Sequence, residues 1–178
     1  MFFLRLFLVL LTLGDGSGAL QAAVLEKLHL EVYKARRELQ LFDGPHLLKI
    51  YPIALGTNPI SPKERQGDRA TPEGAYIICQ KNPQSQFHLS LGISYPGPHD
   101  AERGFKAGLI SAVEKKAILR AAAQGKTPPW NTPLGGEVFV HGRGSKPDWT
   151  WGCVALDDKD IEELYRIIPV GTPIIIKP

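Results

Sequence analysis

The chain has 178 residues, of which 43% are hydrophobic and 22% are charged, and its formal net charge at pH 7 is +3. This composition is typical of a globular protein that is long enough to bury one core. Lysine and arginine do not cluster with aromatic residues, so nothing in the composition supports nucleic-acid binding. The 18 glycines and 15 prolines favour turns and short strands. We therefore expect a mostly β fold with a few helices, of the α+β class.

The N-terminal segment has the features of an export signal. An apolar run extends from Phe2 to Leu13 and is too short to span a membrane. Small residues follow it through Ala19, which predicts a signal peptide over 1–19, or over 1–23 if cleavage occurs after Ala22 or Ala23. An uncleaved anchor is the alternative. A single mature domain over 25–178 is then expected outside the cytoplasm, without stable membrane insertion.

The first half of this domain is predicted to consist of strands and turns. Alternating apolar residues on either side of Asp43-Gly44 predict a hairpin with arms over Leu28–Phe42 and His46–Ala54. Two further strands are predicted at Tyr76–Cys79 and Phe87–Ile93. Segments without a regular hydrophobic period are predicted to be loops: Asn58–Asp68, Tyr95–Gly104 and Lys126–Gly136.

The second half is predicted to contain two helices. The first extends from Ser111 to Gln124, and the second begins after Asp157 or Asp158 and ends at Ile168. Three short strands are predicted around them, at Glu137–Val140, Val154–Leu156 and Thr172–Lys177.

The stretch between His141 and Cys153 is the strongest candidate for chemistry. A cysteine is nucleophilic as the thiolate, and with a pKa of roughly 8.5 it needs a base at neutral pH. Histidine can take the thiol proton and return it to a leaving group. Gly142 follows the histidine and Gly152 precedes the cysteine, where a glycine allows a turn that aims backbone N–H groups at a developing oxyanion. Spacing alone also fits a buried thiol and a structural histidine.

Metal and disulfide chemistry are the other uses of these side chains. Only one histidine and one cysteine lie close together, whereas a structural zinc site needs four ligands, so no metal is predicted. Cys79 lies in an apolar segment and is expected to be a core thiol. A bridge between Cys79 and Cys153 stays open at this point, and it would silence Cys153.

Taken together, the motifs resemble the L,D-transpeptidase catalytic domain, also called the YkuD domain. The resemblance lies in Val138-Phe-Val-His-Gly142, in Thr150-Trp-Gly-Cys153, in the final Gly-Thr-Pro-Ile-Ile-Ile strand, and upstream in Gly67-Asp-Arg-Ala-Thr-Pro-Glu-Gly74. It implies a YkuD-like β-sandwich fold in a single domain. It also implies a periplasmic enzyme that acts on peptidoglycan stem peptides and uses no cofactor.

The resemblance assigns the site residues one by one. Cys153 matches the nucleophile, His141 the base, and the carbonyl of Gly142 the group that orients the imidazole. Backbone N–H groups from Trp151 through Gly152 to Cys153 would form the oxyanion hole. The family pattern departs at Ala155, where many members carry Arg or Asn, so substrate recognition has to come from elsewhere.

Substrate binding is assigned to residues that flank these groups. Arg143 is the nearest cation for a substrate carboxylate, and Thr150 and Trp151 are expected to line the pocket. Transfer to an amine is the expected reaction; hydrolysis of stem peptides or of protein–peptidoglycan links is the alternative. A non-catalytic wall-binding module is the alternative from another class. The protein is expected to be a monomer.

Overall fold

The computed structural model describes residues 27–178, and the predicted signal peptide and its cleavage sites lie outside the described residues. Residues 27–178 form a mostly β fold, as predicted. Eight strands and three helices follow in chain order: β1 (Leu28–Tyr33), β2 (Glu38–Asp43), β3 (His46–Pro52), β4 (Gly74–Ser85), β5 (His88–Ile93), α1 (Pro98–Lys106), α2 (Ala112–Ala123), β6 (Phe139–His141), β7 (Val154–Ala155), α3 (Asp158–Ile167) and β8 (Pro173–Lys177).

The strands form one curled sheet in the order β3-β2-β1-β8-β4-β5-β6-β7. The chain immediately after β3 returns to β7 at the other end of this order. There Ala54 and Ala155 exchange two backbone hydrogen bonds of 2.8 Å. These bonds connect the segment after β3 to β7, the strand at the opposite edge of the sheet. Because β6 and β7 are neighbours, the ends of two short strands that carry His141 and Cys153 are brought together.

The concave side of the sheet is filled with aliphatic and aromatic side chains. This main core includes Leu30, Leu91 and Val140, each fully buried, and α3 contributes Ile161 and Leu164. Burying a side chain of this kind contributes about 1.5–3 kcal/mol relative to leaving it exposed. The core therefore fixes the strands on whose ends the candidate site lies. A second, smaller cluster lies under the first two helices: Ala101, Ile110, Ile118 and Leu134.

The prediction of a loop over Tyr95–Gly104 was wrong, because α1 lies there. The helix begins with Pro98. Proline suits this position because it has no backbone N–H, and an N–H in the first turn would have no partner within the helix. Asp100 accepts the N–H of Gly97 at 2.9 Å and so caps the helix start. Local capping, rather than a hydrophobic period, is what forms this helix, and only its buried side, which includes Ala101, faces the core.

The predicted first hairpin arm divides into two strands. The chain turns back after Tyr33, and β1 pairs with β2 in an antiparallel register that sets Tyr33 opposite Glu38. Arg37 adopts φ +54° in this turn without being a glycine. Lys34, 2% exposed, holds the turn by donating to the Glu73 carboxylate at 2.6 Å. The hairpin between β2 and β3 is confirmed.

The two predicted helices are confirmed with small changes. Ser111 caps α2 and forms a capping box with Glu114. Its predicted apolar face is largely outside the core, since Val113 is 79% exposed and Ile118 is the buried position. Asp157 occupies the N-cap position of α3. Within the described residues, the helices lack the length and apolar character that crossing a bilayer requires.

Candidate active site

His141 and Cys153 project from neighbouring strands into the same space. In the parallel pair of β6 and β7, Val140 lies opposite Val154 and His141 opposite Ala155. Cys153 therefore lies beside Phe139, whose N–H points to the Cys153 Sγ at 3.4 Å. Side chains two positions apart on a strand share a face, which places the thiol and the imidazole on one face of the sheet.

Two adjoining cavities open at this pair. Their volumes are about 410 Å³ and about 360 Å³, and both are lined by His141 and Cys153 together with Gln86, Phe87 and Glu137. The larger cavity extends along β4 and β5. The smaller one extends towards three residues of the loop between β6 and β7: Trp149, Thr150 and Trp151. A molecule can therefore reach the sulfur from two sides.

The imidazole of His141 is held in one orientation and one tautomer. Its Nδ1 lies 2.7 Å from the carbonyl oxygen of Gly142. A carbonyl can only accept, so Nδ1 carries the proton and Nε2 keeps its lone pair. The ring stacks on Phe87 with centroids 4.7 Å apart and meets the edge of Trp149 at 5.6 Å. Burial lowers the pKa of His141 below its usual value, against the raising effect of the Gly142 carbonyl, so the ring is a neutral base at pH 7.

The sulfur of Cys153 is closely surrounded by protein, although the residue as a whole keeps some access to solvent through the cavities. Burial is the main cause that raises the pKa of this thiol to about 11. The Phe139 N–H and the charge of Lys63 oppose the rise, and the charge of Glu137 adds to it. The resting pair is therefore a neutral thiol beside a neutral imidazole, and the thiol needs a base before it can attack.

The turn that carries Cys153 is fixed by Thr150. Its hydroxyl donates to the carbonyl of Cys153 at 2.7 Å and accepts the N–H of Gly152 at 3.1 Å. This hydroxyl is therefore occupied inside the turn, while Thr150 also lines the smaller cavity. The expected oxyanion hole also loses one donor, the N–H of Gly152. The N–H groups of Trp151 and Cys153 form no hydrogen bond within residues 27–178.

Both predicted glycines lie in close contact with neighbouring residues, and Gly152 also has a backbone conformation that favours glycine. Gly152 has φ +122°, and a Cβ there would lie 2.6 Å from the carbonyl oxygen of Ala70. A Cβ on Gly142 would lie 2.4 Å from a carboxylate oxygen of Asp158. The N–H of Gly142 donates to the carbonyl of Phe87 at 3.0 Å. These glycines let the chain pack tightly on either side of the pair.

The loop between β6 and β7 is anchored at Asp148. Its carboxylate accepts three hydrogen bonds from Arg37, the shortest at 2.7 Å, and one from the N–H of Leu55 at 2.8 Å. Burial opposes ionisation of Asp148, but the bonds from Arg37 and Leu55 outweigh it and lower its pKa. The loop is thereby tied to the first hairpin and to the chain after β3.

Arg143 and Trp151 lie at the rim of the site. Arg143 is exposed and lines a separate cavity of about 450 Å³, together with Lys146 and the Trp149 ring. This cavity adjoins the others through Phe87 and Trp149. Trp151 is 76% exposed, and the guanidinium of Arg69 lies 5.1 Å from its ring centroid. Trp151 therefore lines the smaller cavity, whereas Arg143 lines neither of the cavities that contain the sulfur.

The sequence did not identify Phe87, Gln86 or Glu137 as site residues. The apolar pattern predicts a strand that begins at Phe87, and Glu137 is predicted to be the first residue of a later strand. Their position at the site depends on the pairing of β5 with β6, where Ser90 lies opposite His141. No local motif marks these residues.

The two cysteines are both free thiols. Cys79 is 8% exposed, and burial raises its pKa, as expected for a core thiol. The bridge that was left open from the sequence is therefore absent between these two residues. Within residues 27–178, no cluster of three His, Cys, Asp or Glu residues could hold a metal ion.

The chain belongs to the L,D-transpeptidase catalytic domain (YkuD) family, whose model matches residues 27–176. Among curated proteins it is similar to one from Escherichia coli strain K12 named "Putative L,D-transpeptidase YafK". The identity is 30% over 84 residues, which cover 44% of this chain and 34% of the relative. The match thus spans about a third of that relative's length.

Three solved structures have the same fold. Bd1075 from Bdellovibrio bacteriovorus superposes with a TM-score of 0.56 at 23% identity, over 86% of this chain and 48% of that one. A mutant form of the helical cell shape determining protein Pgp2 from Campylobacter jejuni gives 0.56 at 20% identity, over 85% and 47%. An L,D-transpeptidase from Mycobacterium smegmatis gives 0.51 at 13%, over 85% and 59%. At these identities the likeness establishes the fold, and the chain spans about half of each neighbour.

Proposed function

We propose that this protein is an exported, monomeric, cysteine-dependent L,D-transpeptidase that transfers an acyl group between peptidoglycan stem peptides. Membership of the family supports the substrate class. The observation that carries the proposal is the pair of His141 and Cys153, which share one face of the sheet where two cavities meet. A fixed imidazole with a free Nε2, on the same face of the sheet as a protonated thiol, is an arrangement that suits general-base activation of a nucleophile.

Acylation begins with proton transfer from the thiol. Nε2 of His141 takes the proton as the Cys153 sulfur attacks the carbonyl that follows an L-centre of the donor peptide, forming a C–S bond. The tetrahedral oxyanion is held by the N–H groups of Trp151 and Cys153, which have no other acceptor within the described residues. The C–N bond then breaks, and His141 gives its proton to the departing amine. A thioester on Cys153 remains.

Transfer repeats these steps in reverse with a second peptide. The amine of an acceptor loses a proton to His141 and attacks the thioester carbonyl. A new C–N bond forms, the C–S bond breaks, and the proton returns to the sulfur. The two cavities support this reading, because a donor peptide in one leaves the other open to the acceptor. Water in the acceptor position would give hydrolysis.

Charged and aromatic groups around the pair suit a peptide substrate. The three adjoining cavities form a groove. Arg143 and Lys146 lie with Trp149 in the cavity that does not contain Cys153, where they can bind a substrate carboxylate. Ala155 is fully buried and paired with Ala54, and it has no charged group that could bind substrate. Arg143 and Lys146 supply the positive charge instead. Trp151 offers an exposed ring against which a peptide or sugar can pack.

The test uses the mature protein with disaccharide-tetrapeptide muropeptides and mass spectrometry of the products, beside Cys153→Ala. Crosslinked dimers that depend on Cys153 would establish transfer. Shortened monomers without dimers would replace the proposal by a hydrolase. If neither product forms and Cys153 stays unmodified by a carbapenem, the protein is no thiol enzyme and the wall-binding alternative takes its place.

A further inference from the structure

Glu137 is a charged residue at the centre of the candidate site, where its backbone carbonyl accepts the Cys153 S–H with the sulfur 3.6 Å away. It immediately precedes Val138 and β6, and it lines both cavities that contain Cys153. Its side chain is exposed, and none of the salt bridges among residues 27–178 involves it. Its backbone adopts φ +54°, which is uncommon for a residue with a side chain. Unusual backbone of this kind persists where the surroundings impose it, and it is frequent at functional sites.

The charge of Glu137 works against the chemistry of its neighbour. The charged and titratable groups around the Cys153 sulfur are His141, Lys63 from the loop before β4, and Glu137. His141 is neutral at rest, and Lys63 favours the thiolate but is already paired with Asp68 at 2.8 Å. A carboxylate beside a nucleophilic thiol opposes its ionisation. A cationic group bound at Glu137 would offset this effect.

The two cavities offer such a cation no other charged partner. Apart from Glu137, His141 and Cys153, the residues that line them have uncharged side chains. The cationic residues of the groove, Arg143 and Lys146, line the separate cavity. The groove thus runs from a positive end to a negative one at the nucleophile.

We propose that Glu137 binds the ammonium group of the acceptor peptide and thereby selects an amine over water as the acceptor. This inference rests on the proposed function and names the recognition element for its second substrate. The ligand class is a peptide that carries a primary amine. Binding holds that nitrogen beside the thioester, and the ammonium releases one proton to solvent before it attacks as the neutral amine.

The test is a binding comparison in a Cys153→Ala background, which prevents turnover. A stem peptide with a free side-chain amine and the same peptide acetylated on that amine are titrated by calorimetry. The reference protein should bind the free amine about three- to tenfold more tightly, and Glu137→Gln should remove this preference. Glu137→Asp keeps the charge and tolerates the left-handed backbone, so it should keep most of the preference. Glu64→Gln, at a surface cavity without Cys153, is the matched control and should behave as the reference.

A second readout does not depend on peptide binding. In protein with Cys153 intact, alkylation of Cys153 by neutral iodoacetamide is followed against pH by peptide mapping. Glu137→Gln should move this profile to lower pH by a few tenths of a pH unit, and Glu64→Gln should not. Equal affinity of the reference protein for the two peptides, or an unchanged alkylation profile, overturns the role of Glu137 even if transfer is observed. If none of the variants binds either peptide and no transfer products form, the proposed function and this inference are overturned together.

Discussion

Replacing Gly152 by alanine should damage both the fold and the reactivity of the turn that carries Cys153. At φ +122° a residue with a Cβ is strained, which costs about 1–3 kcal/mol. The new Cβ would also lie 2.6 Å from the Ala70 carbonyl oxygen, and the two must separate by about 0.4 Å to reach 3.0 Å, the closest approach that real Cβ atoms show. Overpacking of this kind costs roughly another 1–3 kcal/mol.

Gly144 provides a matched control in the same loop. It has φ +114°, and a Cβ there meets nothing within 4 Å. Gly144→Ala therefore carries the backbone strain without the contact. The free energy of unfolding, measured by denaturant titration, should fall by about 1–3 kcal/mol for Gly144→Ala and by about 2–6 kcal/mol for Gly152→Ala.

Reactivity separates the two variants more sharply. Because a misplacement of about 1 Å can cost on the order of 100-fold in rate, Gly152→Ala should slow acylation of Cys153 by a carbapenem by roughly that factor. Gly144→Ala should stay within a few-fold of the unaltered protein. Equal losses of stability and of acylation rate in the two variants would refute the role assigned to the contact between Gly152 and Ala70.

Three other predictions concern groups that hold the site. Thr150→Val removes the hydroxyl that forms hydrogen bonds with Cys153 and Gly152. The free energy of unfolding should fall by about 1–3 kcal/mol, and the rate of Cys153 acylation should drop. Unchanged values for both would contradict the role of these two hydrogen bonds. Asp148→Asn weakens the link to Arg37 and should lower unfolding free energy by about 1–2 kcal/mol, which thermal unfolding at neutral pH can check. The acylation rate should fall as pH decreases through the pKa of the base, and because burial lowers that pKa, the acidic limb should lie below pH 6.5. A limb above 6.5 would mean that the imidazole is stabilised in its charged form.

Much of the fold could be predicted because its strands alternate apolar and polar residues and its turns carry Asp-Gly or Pro. The missed elements lack those signals. The turn after Tyr33 contains neither glycine nor proline, and Arg37 supplies the left-handed conformation instead. Helix α1 has no apolar stripe, and its formation depends on Asp100 capping the chain and on packing that the sequence does not display.

The site was predictable only where chemistry is tied to particular residue types. His141 and Cys153 stand out because few side chains can form a base and a nucleophile. The sequence could not show that Phe87 stacks on the imidazole or that Glu137 borders the sulfur. Those relations depend on strand register, and a shift of one residue would turn each side chain to the opposite face.

The central claim is that Cys153 carries the acyl group, and intact-protein mass spectrometry tests it most directly. The mature protein is incubated with a stem tetrapeptide whose side-chain amine is acetylated, so that no acceptor amine is present, then quenched in acid and weighed beside Cys153→Ala and Cys79→Ala. The account predicts a mass increase equal to the acyl part of the peptide in the unaltered protein and in Cys79→Ala, mapped to Cys153, and none in Cys153→Ala. An adduct that persists in Cys153→Ala, or release of product by that variant at the normal rate, would contradict it.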